Sequence, residues 1–385
     1  MKTINIFVNS FPKTSETFIY NKVKMLLISE FKINLIVSKI ETKSTSFYED
    51  ISGFDNFKII LNPLSKMYSP SIILRTMFCL NFWILLIKSN FNLKFSYKNF
   101  LCTKTLNLFN PDIIHFEFSG IGFNYLPYLD RLKDIKIVSS FRGTAEKITP
   151  LTNKKREIDF PLYLEKVDAC HCVSKDMHNH LKRYSIDENK VFINYPSIDL
   201  SRFNYLNNYS FDFNKEIKII SIGRLQWIKG IDLALLSLYK LKQKGFNFTY
   251  TLVGNGPEYE KLKFMTESLG LGKEVQFLGF KSSKEVSILL KNSNLFLLPS
   301  YSEGLANSAL EAMSSGIPVI SAKAGGMEEA IIHEESGFLF EIGDVYGLYN
   351  NLLKIFENNY DLNEIRLKAR ETVENKFDIQ IQSEK

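Results

Sequence analysis

Cysteine, tryptophan and long apolar runs are scarce in this sequence. Four of its 385 residues are Cys and two are Trp, and four Cys are too few for a disulfide framework. Free thiols are typical of a reducing compartment, which favours the cytoplasm. The most apolar stretch, residues 71–87, is interrupted by Arg75 and Asn81 and is shorter than the ~20 residues that a spanning helix needs. We expect it to form a buried helix or a helix on a membrane surface.

Motifs for several chemistries are missing as well. No secretory signal is predicted at the start, because Pro12 interrupts any apolar core, and the phosphate loop Gly-x-x-x-x-Gly-Lys-Ser/Thr does not occur. The one cluster of metal-ligating residue types, Cys170-His171-Cys172, lacks the usual ligand spacing and a second ligand pair. We interpret it as part of a core strand, since free Cys is commonly buried, with metal binding as the alternative.

Acidic residues are absent between Asp55 and Asp112. The chain carries a net charge of +6, distributed as +9 in residues 1–197 and −3 in residues 198–385. A basic region of this kind attracts a polyanion or an anionic lipid surface, although a solvated basic face is the alternative. The acid-free interval contains seven cations: Lys58, Lys66, Arg75, Lys88, Lys94, Lys98 and Lys104.

Basic and aromatic residues are interleaved in the second half of that interval: Lys88, Phe91, Lys94, Phe95, Tyr97, Lys98, Phe100 and Lys104. Cations beside aromatic rings suit a lipid headgroup region, so the pattern predicts reversible binding to an anionic membrane. Two alternatives remain. The aromatic rings could pack in a core, or the stretch could form a groove for an anionic glycan.

Short apolar runs alternate with helix-length amphipathic stretches along the chain. Strands are predicted at 4–8, 34–37, 58–61, 113–116, 136–139, 169–173, 191–193, 218–222, 249–253, 275–278, 295–298 and 318–320. Helices are predicted at 17–30, 70–88, 174–184, 231–244, 259–269, 283–291, 308–315 and 345–357. Apolar strands separated by helices indicate the α/β fold class, with parallel sheets covered on both faces.

The alternation breaks once, at residues 194–214, where Pro196 and several Asn indicate a linker. We therefore predict two doubly wound, Rossmann-like domains facing a cleft, residues 1–197 and 198–375, followed by a short C-terminal tail, residues 376–385. Ligands of such sheets bind at the carboxyl ends of the strands.

A cationic loop follows the first strand of the second domain. Gly223 ends the strand, Arg224 and Lys229 follow, and Gly230 precedes a helix. Arg presents a fork of donors to phosphate oxygens and Lys a point charge, so two cations at this junction suit a diphosphate. The alternative is a pair of solvated surface cations.

Two acids with seven residues between them, Glu303 and Glu311, surround the predicted start of a helix at Ser308. The unpaired N–H groups of a helix start attract an anion, and a carboxylate accepts hydrogen bonds from sugar hydroxyls. The pair therefore suits a nucleotide sugar, with one Glu on ribose and the other on the hexose. The alternative is a capping Glu and an exposed helical Glu. The intervening candidates for binding are Gly304, Leu305, Ala306 and Asn307.

A glycine turn follows the next strand. Residues 253–258, with Gly254 and Gly256, resemble a phosphate turn but lack the third glycine of the dinucleotide fingerprint. We interpret the run as a strand-to-helix turn with Pro257 at the first helical position. Contact between Gly254 and the ligand is the alternative.

Three polar residues of the first domain stand in otherwise apolar runs after strands: Glu16, Glu117 and Arg142. Their places predict that they face the cleft, on the acceptor or donor-sugar side. His115 is interpreted as a hydrogen-bonded core residue rather than a base. Thr14 or Ser15 is expected to cap the helix that starts at Thr17.

Taken together, these residues resemble glycosyltransferase family 4, retaining enzymes of the GT-B fold. Residues 223–230 resemble its diphosphate loop, and residues 303–311 its Glu-x7-Glu signature. Residues 321–329 and 336–340 resemble its two following glycine-bearing turns, and residues 173–203 the run that enters its linker. The resemblance implies an acceptor-binding first domain and a nucleotide-sugar-binding second domain. It also implies that no metal is needed, and no Asp-x-Asp pair occurs.

Two features depart from the family pattern. Arg142 stands where many members carry a His near the reacting centre, although an Arg-Gly turn that keeps a cation near the sugar occurs in some polysaccharide branches. The chain also ends at Lys385, soon after Phe377, whereas the family usually has a longer final helix.

The resemblance implies a metal-independent hexosyltransferase that moves a sugar from a nucleoside-diphosphate sugar to a glycan or lipid-linked glycan, in cell-surface polysaccharide biosynthesis. The expected location is the cytoplasm or the inner face of the membrane, with no cofactor and no nucleic-acid partner. A UDP-N-acetylglucosamine 2-epimerase-like enzyme and a non-catalytic GT-B homologue are the alternatives. The residues predicted to act are Arg224, Lys229 and Glu303 in catalysis, and Gly223, Gly254, Gly304, Leu305, Ala306, Asn307 and Glu311 in donor binding.

Overall fold

The computed structural model describes residues 1–12, 16–41, 50–66, 69–89, 91–132, 134–207, 211 and 215–383. Thr14 and Ser15, the predicted caps of the first helix, lie outside these residues. The chain forms two compact units. The first consists of Met1–Cys172 and His178–Ile193, and the second of Val173–Met177 and Asn194–Lys385.

The first unit is built on a seven-stranded parallel sheet of order β3-β2-β1-β4-β5-β6-β7. Every strand predicted for this half is present, and its inner strands are rich in buried Ile, Val and Phe, as a sheet covered on both faces requires. The strands are β1 Thr3–Phe11, β2 Lys32–Ile40, β3 Phe57–Leu61, β4 Ile113–Phe116, β5 Lys136–Phe141, β6 Ala169–Cys172 and β7 Val191–Ile193.

Six α-helices of eight or more residues are described up to residue 193. They are α1 Thr17–Ile28, α2 Pro70–Met77, α3 Leu80–Lys88, α4 Leu93–Leu106, α5 Lys154–Lys166 and α6 Lys175–Lys182. A nine-residue 3-10 helix lies at Phe123–Arg131, and shorter helical turns lie at Pro63–Lys66, Ser119–Gly122, Thr144–Lys147, Thr149–Thr152 and Glu188–Lys190. Helix α4 lacks a clear amphipathic period, which is why the sequence did not indicate it.

The single helix predicted at 70–88 is two helices, α2 and α3, bent by 83°. Cys79 takes an extended backbone conformation between them. The bend allows Ile72 on one side and Phe82 on the other to pack on one small core, which also contains Phe100. The prediction of an aromatic ring at a lipid surface is therefore wrong for Phe100, whereas Phe91 is exposed.

The second unit contains a six-stranded parallel sheet of order β10-β9-β8-β11-β12-β13. The strands are β8 Ile217–Ile222, β9 Phe248–Val253, β10 Val275–Gly279, β11 Leu295–Leu298, β12 Val319–Ala322 and β13 Phe338–Phe340. The helices are α7 Ile231–Gln243, α8 Tyr259–Ser268, α9 Ser283–Lys291, α10 Asn307–Ser314, α11 Val345–Phe356 and α12 Leu362–Lys376, with shorter turns at Trp227–Lys229, Met327–Ala330 and Ile379–Ser383. Both sheets have the doubly wound, Rossmann-like topology that the sequence predicted.

Two elements of the second unit, the edge strand β13 and helix α12, were not predicted. Helix α8 begins at Tyr259, as predicted, so Pro257 precedes the helix and does not occupy its first position. Two side chains near the end of the described chain, Phe377 and Gln382, are buried. Phe377 is fully buried, and the side chain of Gln382 accepts a hydrogen bond from the Tyr195 N–H at 3.1 Å.

Candidate active site

The loop after β8 places two cations beside a recess in the second unit. Arg224 is exposed and Lys229 is partly buried. Gly230 has a left-handed φ of 59°, and a Cβ there would lie 2.0 Å from the Pro299 carbonyl oxygen. Only glycine permits this close approach between the start of α7 and the loop after β11.

Lys229 and Glu303 form an ion pair, with 2.6 Å between Lys229 Nζ and Glu303 Oε1. The pair joins the loops that follow β8 and β11, two strands that are neighbours in the sheet. The side chain of Arg224 has no hydrogen bond or ion pair with the described residues, so its donors remain available. The side chain of Lys229 is thus fixed by a carboxylate, whereas the position of the Arg224 side chain is set only by the backbone of the loop.

The recess lies between the loops that follow β8 and β11. Its lining includes Gly223, Arg224, Lys229 and Ser300. Ser300 is fully buried, and its hydroxyl oxygen has no hydrogen-bond partner among the described residues. Unpaired buried polar groups cost free energy, so this hydroxyl, two cations and a carboxylate fit a polar, anionic ligand.

The loop that carries Glu303 is fixed by a glycine turn. The Gly326 N–H donates to the Gly304 carbonyl at 2.7 Å. Gly325 has a φ of 65°, and a Cβ there would lie 2.1 Å from the Glu303 carbonyl oxygen. The turn at 325–326 therefore fixes the backbone of the loop at residues 303–304 and, through it, the position of the Glu303 carboxylate.

Helix α10 begins at Asn307, with Ala306 in the extended conformation before it. Leu305 and Ala306 are buried, so their contribution here is backbone geometry rather than side-chain donors. The first N–H groups of a helix have no intrahelical partner, and those of α10 can meet an anion. Glu311 lies on the same helix, and burial raises the pKa of its carboxyl group to about 8.

Gly254 contributes close packing between two loops. Its φ is 135°, and a Cβ would lie 1.9 Å from the Gly223 carbonyl oxygen. In the same turn, a Cβ at Gly256 would lie 2.1 Å from the Leu225 carbonyl oxygen. Because these two residues are glycines, the turn after β9 can pack directly against the backbone of the loop that carries Gly223 and Arg224.

A second polar cluster lies at the carboxyl ends of β4 and β5 in the first unit. Glu117 is fully buried, and Lys22 Nζ donates to both of its carboxylate oxygens at 2.9 Å. The Arg142 guanidinium also pairs with this carboxylate, and its Nε donates to the Glu117 carbonyl at 3.1 Å. The structure thus brings together two of the three predicted polar residues of this unit, Glu117 and Arg142.

The cluster contains two cations and one carboxylate, a net charge of +1. Burial lowers the pKa of Lys22 to about 8. Although burial by itself raises it, the two cations hold the pKa of Glu117 well below its usual range. Burial lowers the pKa of His115 to about 3, and its Nε2 lies 2.8 Å from Ser140 Oγ. His115 is therefore a neutral, hydrogen-bonded core residue, as predicted.

Glu16 lies at the start of helix α1. It is the N-cap residue of α1, and its side chain makes no capping hydrogen bond. Arg142 packs over the Phe18 ring of the same helix, with 4.1 Å from the guanidinium carbon to the ring centroid. Helix α1 therefore bounds the cluster with an aromatic side chain, which the sequence did not indicate.

Two regions of the chain match known protein families. Residues 208–374 match the family described as "Glycosyl transferases group 1", and residues 82–202 match "Glycosyltransferase Family 4". The chain belongs to glycosyltransferase family 4. This confirms the resemblance of the sequence, and it makes the chain a glycosyltransferase rather than an epimerase.

Relatives of this glycosyltransferase include proteins named for polysaccharide synthesis. It is 25% identical to the putative colanic acid biosynthesis glycosyltransferase WcaL of Escherichia coli, over 98% of this chain and 97% of that protein. It is 28% identical to the amylovoran biosynthesis glycosyltransferase AmsK of Erwinia amylovora, over 69% of this chain and 66% of that protein.

Solved structures share its fold. Anabaena Alr3699/HepE in complex with UDP and glucose superposes with a TM-score of 0.74 at 17% identity, covering 100% of this chain and 98% of that one. Sucrose-phosphate synthase from Thermosynechococcus elongatus gives 0.78 at 16% identity, with coverages of 100% and 96%. The fold of this glycosyltransferase is therefore GT-B.

The sequence assigned no role to three residues that organise this glycosyltransferase, although two of them, Gly325 and Glu329, lie in the glycine-bearing turn at 321–329 that it singled out. Lys22 and Gly325 have the roles described above. Glu329 accepts the backbone N–H groups of Lys175 and Asp176 at 3.0 Å each, where its charge suits the start of α6. Each lies in a run whose charge or glycine content was visible, but the partners are far away in sequence.

The Cys170–Cys172 strand is core, as interpreted. Both thiols are free and fully buried, and burial raises the pKa of Cys170 to about 12. Within the described residues, no group of three or more His, Cys, Asp or Glu side chains could hold a metal ion.

Proposed function

We propose that this glycosyltransferase moves a sugar, with retention, from a nucleoside-diphosphate sugar to a hydroxyl of a glycan or lipid-linked glycan in the synthesis of a cell-surface polysaccharide. The observation that carries the donor assignment is the recess lined by Arg224 and Lys229, with Glu303 paired to Lys229. The named relatives in colanic acid and amylovoran synthesis support the polysaccharide assignment.

In the proposed reaction, the bond between the anomeric carbon and the diphosphate oxygen breaks, and the acceptor oxygen bonds to that carbon on the same face. The leaving phosphate takes the acceptor proton, as the family resemblance implies. Arg224 and Lys229 stabilise the charge that develops on the diphosphate, together with the N–H groups at Asn307 and beyond. Gly223, Gly254 and Gly304 hold these donors close to the ligand.

The two acids are proposed to contact different ends of the nucleotide sugar. Glu303, beside Lys229, orients the hexose, and Glu311 binds the ribose hydroxyls. The Glu311 carboxylate receives no hydrogen bond and has no cation beside it in the described part of the chain, and burial alone raises the pKa of this carboxyl group. A ribose would supply the missing donors.

In the first unit, Glu117, Arg142 and Glu16, the N-cap residue of α1, are proposed to lie on the acceptor or donor-sugar side. The guanidinium is oriented by Glu117 and Phe18, so it can present its remaining donors to a sugar. The enzyme is proposed to work in the cytoplasm, at the inner face of the membrane, without a metal.

The test separates the two acids by calorimetry and transfer assays. Glu311→Ala should weaken binding of the free nucleoside diphosphate, because the ribose loses its acceptor. Glu303→Ala should leave that binding within about threefold and impair sugar transfer. The reverse pattern would show that the ribose and hexose assignments are interchanged. If the protein neither binds nor turns over any nucleotide sugar of a panel, the proposed function itself is contradicted.

A further inference from the structure

The surface of the first unit exposes an unusual density of large apolar side chains at the bent pair of helices α2 and α3. In the part of the chain that the structure describes, 28 large apolar side chains are exposed, and ten of them lie within residues 73–93. We call these ten the apolar face: Ile73, Leu74, Met77, Phe78, Leu80, Trp83, Ile84, Ile87, Phe91 and Leu93.

Helix α3 is apolar on both of its sides. Its inner side, Phe82 and Leu86, packs into the small core with Phe100 and Leu101. Its outer side follows the i, i+3, i+4, i+7 spacing of one helical face with Leu80, Trp83, Ile84 and Ile87. Apart from the exposed Asn81 and Lys88, α3 is therefore apolar on opposite sides, as in a helix that is buried in protein or lipid, and large exposed apolar patches mark interaction sites.

The charges around the apolar face have one sign. Residues 56–111 contain no Asp or Glu, and the exposed cations nearest in sequence are Arg75, Lys88 and Lys94. A second copy of the chain docking through the same face would bring these cations against one another, which disfavours a symmetric dimer. An anionic lipid surface complements both the charge and the apolar side chains.

The geometry indicates a helix pair that lies in one leaflet. Within the described residues no single helix is long and apolar enough to cross a membrane. Helices α2 and α3 would be long and apolar enough only if they were taken together, and they are bent by 83° relative to each other. Their 8 and 9 residues correspond to roughly 12–14 Å each at the helical rise. That is less than half of the ~30 Å hydrocarbon thickness.

We infer that the apolar face of α2 and α3 inserts into one leaflet of an anionic membrane and holds the first unit on it. The inference rests on the proposed function only for the role of this contact, which would bring the enzyme to a lipid-linked acceptor in the membrane. It also shifts the main contact from the interleaved aromatic residues after Phe91 to the helices before it.

The first experiment uses the two tryptophans of the chain. Trp83 lies on the apolar face and Trp227 in the loop after β8. In Trp227→Phe, the emission of Trp83 should shift to shorter wavelength on adding phosphatidylcholine vesicles with 30% phosphatidylglycerol, and brominated acyl chains should quench it. In the matched variant Trp83→Phe, the emission of Trp227 should remain unchanged.

The second experiment measures vesicle sedimentation at low and high salt. Wild type should bind most strongly at low salt and keep part of its binding at 1 M NaCl, because apolar burial is not screened. Changing Leu80, Ile84 and Ile87 to Gln should lower the partition coefficient by on the order of 100-fold, even with partial burial of each side chain. The matched control Ile288→Gln removes an exposed Ile from the second unit, with a fractional exposure between those of Ile84 and Ile87, and should bind like wild type.

Three results would overturn the inference. One is no binding of wild type to anionic vesicles even at low salt, and another is an unchanged Trp83 emission. The third is a concentration-dependent dimer that the triple variant abolishes, without vesicle binding, which would identify a second copy as the occupant. Donor binding by calorimetry checks that the triple variant is folded. Since vesicle binding needs no sugar transfer, its failure is distinct from failure of the proposed function.

Discussion

Arg224 and Lys229 carry the same charge but are held in different ways. Lys229 is paired with Glu303, whereas the side chain of Arg224 is exposed and has no partner among the described residues. Either substitution to Ala should lower turnover by about 10²–10³, the scale for removing one preorganised donor from a developing anion. Lys229→Ala should also destabilise the fold by about 1–3 kcal/mol, because it leaves the Glu303 carboxylate unpaired.

Turnover assays and thermal unfolding of both variants check this expectation, with Lys284→Ala as the control. Lys284 is an exposed cation on α9, so its removal should change neither quantity. Near-normal turnover in both loop variants would remove these cations from the mechanism.

Glu311 predicts a pH dependence of stability. The pKa of its carboxyl group is raised to about 8 by burial, while an unfolded Glu titrates near 4.3. The folded state therefore keeps a proton that the unfolded state loses between these values. The stability contributed by this group is complete below the unfolded pKa and is lost as the pH rises towards about 8.

Glu311→Gln keeps the shape of the side chain and removes the titration. Its free energy of unfolding should match that of wild type near pH 4 and exceed it increasingly up to pH 8, as measured by denaturant unfolding without ligand. Parallel pH profiles of the two proteins would mean that Glu311 is ionised in the folded state.

At the scale of elements, the site depends on a turn that touches no ligand in the proposal. Gly325, after β12, supports the loop of Glu303 after β11. Gly325→Ala should displace that loop and lower transfer at least tenfold, because its Cβ would lie 2.1 Å from a carbonyl oxygen.

Gly270→Ala is the matched control for backbone strain. Gly270 has a φ of 67°, close to the 65° of Gly325, but no atom lies within 4 Å of its Cβ position. Both variants should lose about 1–2 kcal/mol of stability from a non-glycine residue in the left-handed region. Only Gly325→Ala should lose transfer. Equal activity of the two would show that the turn does not position Glu303.

At the scale of the whole molecule, donor binding should stabilise the folded chain. A nucleotide sugar at 100 times its dissociation constant should add about 2.7 kcal/mol to the free energy of unfolding. A thermal-shift panel of nucleotide sugars identifies the donor, and the shift should persist in EDTA because Arg224 and Lys229 are proposed to meet the diphosphate. Loss of the shift in EDTA would contradict a metal-independent site.

Local sequence determined most of the architecture of both units. The apolar strands and the residues flanking Glu303 and Glu311 follow from hydrophobic pattern and motif, because a parallel strand buried on both faces needs a continuous apolar run. Where the pattern was weak, prediction failed. Helix α4 has no clear period, and the three-residue strand β13 was hidden inside a glycine-bearing turn.

Only the tertiary structure decided which charges meet and which apolar side chains stay exposed. The ion pair of Lys229 with Glu303 spans 74 residues, and that of Lys22 with Glu117 spans 95. Such distances are not encoded in any local pattern. The same holds for α3, where the sequence showed an apolar helix, but packing on the core around Phe100 left Leu80, Ile84 and Ile87 outside. Burial is a property of the neighbours that folding brings together, so composition alone could not assign it.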